Sequence, residues 1–278
     1  MTPLAFVIVV FLISILGGYL GALLGLGGGL IVIPALTLLL HVDIRLAIGA
    51  SIISVIATSS GAAAAYVREH LANVRVAMFL ELGTTVGAMT GAYLAGRVQP
   101  RWLYVLFGAM LIYSAAAMLR GVHAVPPDEP VGRVSEWLQL SGSYFDHQRN
   151  EKVPYPVRRP LLGLGLMYGA GAVSGLLGVG SGALKVTAMD LGMGLPMKVS
   201  TATSNLMIGV TAAASAGLYF ARGQVDPFIA APVALGVLGG ALVGSRQLRH
   251  FPTTLLRGVF VAVLFVIAAQ MIARGLLH

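Results

Sequence analysis

The chain contains no cysteine. That excludes disulfides, thiolate metal sites and thiol catalysis, and identifies no compartment. Charge is scarce too. Only 10% of the 278 residues are Asp, Glu, Lys or Arg, against roughly 25% in a soluble globular domain. His123, His147, His250 and His278 sit in loops or at the terminus and form no metal-ligand spacing. No nucleophile–base–acid set is visible, and GVGSG at 178–182 resembles a Gly-x-Ser-x-Gly elbow only superficially. No Gly-Lys-Ser/Thr follows either glycine cluster, so a nucleotide phosphate loop is excluded. Nothing here calls for a cofactor or a bound metal.

Apolar residues fill the gap, at 57% of the chain, together with 36 glycines. A soluble protein this short of charge would expose too much apolar surface to stay dissolved. Lipid is the solvent that fits, and small residues let membrane helices approach closely where no hydrophobic effect drives them together. The net charge of +8 is not a nucleic-acid patch. Segment 121–160 balances Asp128, Glu129, Glu136, Asp146 and Glu151 against Arg133, Arg149, Lys152, Arg158 and Arg159. The excess therefore lies beside apolar segments, where basic residues report topology.

Apolar stretches fall at 4–24, 30–40, 46–67, 76–95, 102–119, 161–177, 186–192, 199–221, 228–244 and 254–273. A spanning helix needs about 20 residues to cross ~30 Å of hydrocarbon. The first stretch has no basic region or small-residue cleavage site, so it reads as a retained helix. Stretches 30–40 and 186–192 are too short to cross alone. Each follows a glycine cluster: Gly25, Gly27, Gly28 and Gly29, then Gly178, Gly180 and Gly182. Clustered glycine breaks a helix through its backbone freedom. Each short stretch is therefore expected to be half of a broken or re-entrant helix.

The halves repeat. GLGGGLIVIPAL at 25–36 aligns with GVGSGALKVTAM at 178–189. The same offset, without a gap, pairs Arg45 with Lys198, Ser51 with Ser204, Tyr66 with Tyr219, Gly83 with Gly236, Gly87 with Gly240 and Gly91 with Gly244. Internal repeats around a midplane site are a common build for secondary transporters. If each half makes an odd number of crossings, one face holds Arg68, Arg75, Arg120, Lys152, Arg158, Arg159, Lys198, Arg246, Arg249 and Arg257. The other holds Arg45, Arg97, Arg101, Arg222 and Arg274. That bias obeys the positive-inside rule and favours inverted over parallel repeats, with the central loop in the cytoplasm and both termini outside. The expectation is an all-α integral membrane protein of two homologous, inverted repeats, each with a Gly-rich broken or re-entrant helix. Repeat 1 covers 1–120 and repeat 2 covers 161–278. The proline-rich, polar 121–160 is a cytoplasmic linker, too short for a domain of its own, with room for a short interfacial helix at 133–140.

The paired glycine loops are the leading site candidates: Gly27, Gly28 and Gly29, and Gly180, Ser181 and Gly182. Consecutive glycine backbones expose N–H groups that suit an anion. Close helix packing is the competing explanation, but two clusters at matching positions favour the site. Lys185 lies three residues past Gly182 inside an apolar run. A cation there contacts an anionic substrate, pairs with Asp190, or snorkels to the interface. Ser51, Ser204 and Asn205 supply uncharged hydrogen-bonding groups, although interhelical bonding explains most membrane Ser and Thr equally well. Glu81 reads as a headgroup-level residue, with proton coupling the alternative. His41, Asp43 and Arg45 read as loop residues, with gating the alternative.

Three stretches carry a family resemblance: GLGGGLIVIPAL, SGLLGVGSGALKVTAM and, most specifically, PMKVSTATSNLMIGVTAAASA at 196–216. They resemble the TauE/SafE family of sulfite and organosulfonate exporters, over almost the whole chain. Ser181 departs from the family pattern, which shows a further glycine there and so a more flexible second loop. The resemblance implies export of a small sulfur-containing anion, such as sulfite or sulfoacetate, across a bacterial inner membrane. The expected partners are that anion and membrane lipid, with no nucleic acid. Coupling to protons or another ion stays open, as does oligomeric state. A passive anion channel is the alternative, and a membrane-embedded enzyme a more distant one.

Overall fold

A computed structural model describes residues 2–24, 28–68, 72–119, 132–146, 151–247 and 253–277. The first half runs α1 (Pro3–Leu24), α2 (Gly29–Pro34), a π-helical turn (Ala35–Leu39), α3 (Ile44–Arg68), α4 (Val74–Ala95) and α5 (Pro100–Leu119). The second half repeats that order: α7 (Pro160–Leu177), α8 (Gly182–Thr187), a π-helical turn (Ala188–Gly192), α9 (Met197–Ala221), α10 (Pro227–Gln247) and α11 (Thr253–Leu277). Between them lie α6 (Arg133–Trp137), β1 (Gly142–Asp146) and β2 (Glu151–Tyr155). The chain is a predominantly helical membrane protein. By length and composition α1, α7, α9 and α10 are apolar enough to cross a membrane. Exposed side chains such as Leu4, Leu16, Leu82, Leu235 and Val266 give the bundle a lipid-compatible exterior.

Local sequence explains the boundaries. Helices α1, α5, α7 and α10 each open on proline, whose missing N–H is not needed in the first turn. Asn73 caps α4 by accepting from the Val76 amide at 3.1 Å. Helix α7 stops at Gly178, whose φ of +67° is the left-handed cap that glycine adopts at little cost. The stretches read as half-helices are short, and both end in a π turn at matching places.

Packing runs mainly between the halves rather than within them. Helix α1 lies along α10, α4 along α7, α5 along α11, and α3 along α9. Glycines permit the first two pairings. Gly87 and Gly91 on α4 sit against the Tyr168 and Ala172 carbonyl oxygens of α7. Gly18 on α1 and Gly240 on α10 sit against Val237 and Ile15 backbone in the same manner. A methyl group at any of these four positions has no room. This is the small-residue packing that lets helices associate in lipid.

Helices α3 and α9 run in opposite directions. Arg45 near the start of α3 donates to the Val98 carbonyl at 3.0 Å, beyond the end of α4. Arg222, just past the end of α9, donates to the Ala92 and Tyr93 carbonyls at that same end. So α3 begins where α9 finishes. Arg97 lies over the Tyr93 ring, Arg274 donates to the Thr37 carbonyl, and Gly275 abuts Arg101. The five basic residues assigned to one face by charge counting thus gather at one end of the bundle.

The opposite end carries the linker, which has more structure than its composition suggested. Strands β1 and β2 form an antiparallel hairpin with Gly142 opposite Tyr155 and Asp146 opposite Glu151. The Asn73 side-chain amide donates to the Leu140 carbonyl and the Tyr155 hydroxyl at 2.8 and 3.0 Å. Burial pushes the Tyr155 phenol above its usual range, so it meets Asn73 as a neutral hydroxyl. Arg75 donates to Gln139. The interfacial helix expected over 133–140 is one short turn, α6, with Trp137 83% exposed.

Candidate functional site

The two glycine loops approach each other through one serine. Ser51 on α3 donates to the Gly178 carbonyl at 2.8 Å, and its Oγ occupies the space a Cβ on Gly29 would need. That Cβ would also lie 3.5 Å from the Gly178 oxygen. The hydroxyl is therefore wedged between the start of α2 and the end of α7. Ser204, at the matching place on α9, reaches the Gly182 carbonyl at 3.4 Å. Gly27 lies outside the described residues.

The loop glycines are tightly covered by side chains. Val237 stands over Gly28, and a Cβ on Gly180 would come 2.8 Å from Ile208 and 3.1 Å from Val55. Gly180 has φ +73°. Ser181 also adopts the left-handed region, at φ +45°, where a Cβ is strained. Its counterpart Gly28 is right-handed at φ −67°, so the loops differ in conformation despite their matching positions. The Ser181 hydroxyl is buried without a hydrogen-bond partner. That combination of strain and an unused hydroxyl is uncommon away from functional positions.

Lys185 is wholly buried, at 0% exposure. Its ammonium donates to Thr211 Oγ1 at 2.6 Å. Thr211 in turn donates to Glu81 Oε1 at 2.7 Å, sharing its single proton with the Met207 carbonyl at 2.8 Å. Thr85 also donates to Glu81 Oε1, at 3.2 Å. The second carboxylate oxygen, Oε2, is buried without a partner. Three elements build this chain: α8 supplies the cation, α9 the hydroxyl and α4 the acid.

These contacts decide between readings left open by the sequence. Lys185 neither snorkels nor hydrogen-bonds Asp190; it is held by Thr211. Glu81 faces the bundle interior. It is half-buried and joined to Lys185 through one hydroxyl. Its significance was hidden because Thr211 lies 130 residues away in the chain. The Asn205 amide donates to the Thr201 carbonyl of its own helix at 3.1 Å, which leaves its oxygen as the group free to act elsewhere. Asp43 accepts from the Arg45 amide and Arg45 binds Val98, so these two order the loop before α3.

A polytopic helical bundle with a buried cation beside two interrupted helices, and no catalytic set among the described residues, has the build of a membrane transporter. The family model described as "Sulfite exporter TauE/SafE" matches residues 10–271, and the chain belongs to that family. It is similar to "Probable membrane transporter protein YunE" of Bacillus subtilis (strain 168), 26% identical over 280 residues, covering 98% of this chain and 99% of that one. It is 27% identical to "Probable membrane transporter protein YdhB" of the same organism over 252 residues, covering 90% and 92% of the two chains. A "Probable membrane transporter protein" of Haemophilus influenzae is 22% identical over 264 residues, covering 95% and 93%. No solved structure matches. The chain is a multi-pass transporter of the bacterial inner membrane.

Proposed function

We propose that the protein is a secondary transporter that exports a small sulfur-containing anion, sulfite or an organosulfonate. The observation that carries this reading is Lys185. A wholly buried ammonium beside a glycine loop, held by a single threonine, is a site for an anion in search of a counter-charge. The unpartnered Ser181 hydroxyl, one helical turn before Lys185, adds a hydrogen-bond donor of the kind that sulfonate oxygens accept. The binding region comprises Gly28, Gly29, Gly180, Ser181, Gly182 and Lys185, with Ser51, Ser204 and Asn205 behind them. It lies near the bilayer midplane between the loops. Inverted repeats over 1–120 and 161–278 support that placement, because antiparallel counterparts such as α3 and α9 bring their loops together. The match to a sulfite exporter family supports the cargo class.

Ligand-dependent stabilisation tests the reading. The purified protein is heated with sulfite, sulfoacetate, thiosulfate and simple carboxylates. A ligand at about 100 times its Kd adds about 2.7 kcal/mol to the folded state. Sulfite or a sulfonate raising the melting temperature, while carboxylates do not, is the expected result. Stabilisation by none of the sulfur anions sinks it.

A further inference from the structure

Lys185 and Glu81 are the only charged residues linked through the interior of the bundle among the described hydrogen bonds, and the link exists once. The offset that relates the halves pairs Lys185 with Val32 and Glu81 with Ala234, while Thr211 meets Thr58. The first half keeps the threonine at the place of Thr211, and neither charge has a charged counterpart. Thr58 instead donates to the Ser54 carbonyl of its own helix. An ion pair held through a hydroxyl, with one carboxylate oxygen left over, is not a device for stability. Two charges that served only to cancel would close to direct contact, and apolar residues would serve a static core as well or better.

We infer that Glu81 is the coupling group of the transporter: the cargo anion displaces it from Lys185, and the displaced carboxylate takes up one proton. The inference rests on the transport reading above.

The argument is one of charge conservation across a low-dielectric interior. In the empty site, Lys185 ammonium and Glu81 carboxylate cancel. A monovalent anion arriving at Lys185 leaves a net charge of −1 unless something compensates, and unbalanced charge at membrane depth is costly. Protonating Glu81 restores neutrality. The proton comes from water on the side to which the site is open and is released on the other side with the anion. Glu81, ionised again, then re-forms its bond through Thr211. Loaded and empty forms carry the same net charge, so both can reorient. Anion and proton travel together, one for one, because there is one Glu81. An anion accumulated in the cell draws the proton out with it; an inward proton gradient opposes export and favours uptake.

One other acid lies on the elements packed around this link. Helix α4 packs against α7 and α9. Helix α7 offers Tyr168, which Thr90 contacts at 3.4 Å. Helix α9 carries Lys198 and Tyr219 and is followed by Arg222, roughly 20, 12 and 16 Å along its axis from Thr211 by helix rise. Helix α8 packs against α5, α7, α9 and the π turn. Helix α5 brings Arg101, Tyr104 and Tyr113. The π turn brings Asp190, the one further acid on these elements, buried at 5% exposure and outside the Lys185–Thr211–Glu81 link.

Proteoliposomes with a pH-sensitive dye in the lumen and the membrane potential clamped test the inference. The probes are sulfite and methanesulfonate. The second stays ionised, so a proton that crosses with it is not its own. The wild type should carry one proton with each methanesulfonate. Glu81→Gln mimics the protonated acid and cannot release its proton. It should keep anion-for-anion exchange but lose net flux, because the empty site returns with an uncompensated Lys185. Glu81→Asp should recover proton-linked net flux, and Asp190→Asn should keep it. A structural role for Glu81 would instead remove exchange and net flux together. Net flux of methanesulfonate without proton movement in the wild type, or proton-linked flux in Glu81→Gln, overturns the inference and leaves the transport reading standing. A wild type that moves neither probe overturns both.

Discussion

The Ser51 hydroxyl donates to the Gly178 carbonyl at 2.8 Å while filling the space beside Gly29, so one side chain joins both interrupted helices. Ser51→Ala should cost about 0.5–1.5 kcal/mol, the worth of one hydrogen bond. Gly29→Ala should cost more, because its new methyl group would displace the Ser51 hydroxyl as well. Thermal unfolding in detergent checks both. Equal melting temperatures for wild type and Gly29→Ala would show the loops to be loosely packed.

Ser181 holds φ +45° with its hydroxyl unpartnered. Ser181→Gly should stabilise the protein by about 1 kcal/mol by relieving the left-handed strain on a Cβ. If the hydroxyl contacts cargo, the same substitution should weaken ligand-induced stabilisation. A stabilised variant with undiminished ligand response would make Ser181 a matter of backbone alone.

Adjacent glycines on α10 offer an internal control. A Cβ on Gly240 meets the Ile15 backbone of α1, and a Cβ on Gly239 meets nothing within 4 Å. Gly240→Ala should lose about 1–3 kcal/mol through overpacking. Gly239→Ala should be neutral or slightly stabilising, since alanine favours helix. Monodisperse yield and melting temperature report the contrast. A well-folded Gly240→Ala of wild-type stability contradicts the packing described for α1 and α10.

Much of the fold was legible in the sequence because membrane helices announce themselves by length. The stretch 76–95 became α4 (Val74–Ala95), and 228–244 became α10 (Pro227–Gln247). The glycine cluster at 178–182 marked the break between α7 and α8, while residues 25–27 of the first cluster lie outside the described residues. The hairpin of β1 and β2 was less legible. Its residues, GSYFD and EKVPY, carry several polar groups and a proline, and the Asn73 contact to Tyr155 comes from 82 residues away in the chain. Within the site, Lys185 stood out as a cation in an apolar run. Glu81 did not, because an acid seven residues into α4 looks the same whether it faces headgroups or Thr211. Only the crossing of α4 and α9 distinguishes them. The glycines were read as anion-binding backbone, and their surroundings add a packing role that spacing alone does not reveal.

Charge pairing through Thr211 should appear in a double-mutant cycle. Lys185→Met alone leaves Glu81 without its counter-charge, and Glu81→Leu alone strands a buried ammonium. Each should destabilise, and the double variant should recover much of the loss, with an interaction of about 0.5–3 kcal/mol. Strictly additive losses would show that the two charges do not sense each other.

Topology is open to cysteine labelling, which the absence of native cysteine makes clean. Gln99→Cys and Gly223→Cys lie at the end of the bundle where Arg222 meets Tyr93; Trp137→Cys lies in the linker at the other. An impermeant thiol reagent outside intact cells should label the first two and spare the third. Labelling of Gln99→Cys and Gly223→Cys from opposite faces would contradict the inverted arrangement.

Flux through Lys185 is the most direct test of the central claim. Sulfite and sulfoacetate movement is measured in proteoliposomes holding the wild type, Lys185→Ala or Arg133→Ala. Lys185→Ala should weaken cargo binding by about 1–3 kcal/mol, the loss of a charged contact, and slow transport accordingly at low anion concentration. Arg133→Ala, in the linker, should match the wild type. Lys185→Ala that is folded, inserted and as fast as the wild type at low anion concentration would contradict the account, because the cargo would then cross without meeting the one buried ammonium beside the glycine loops.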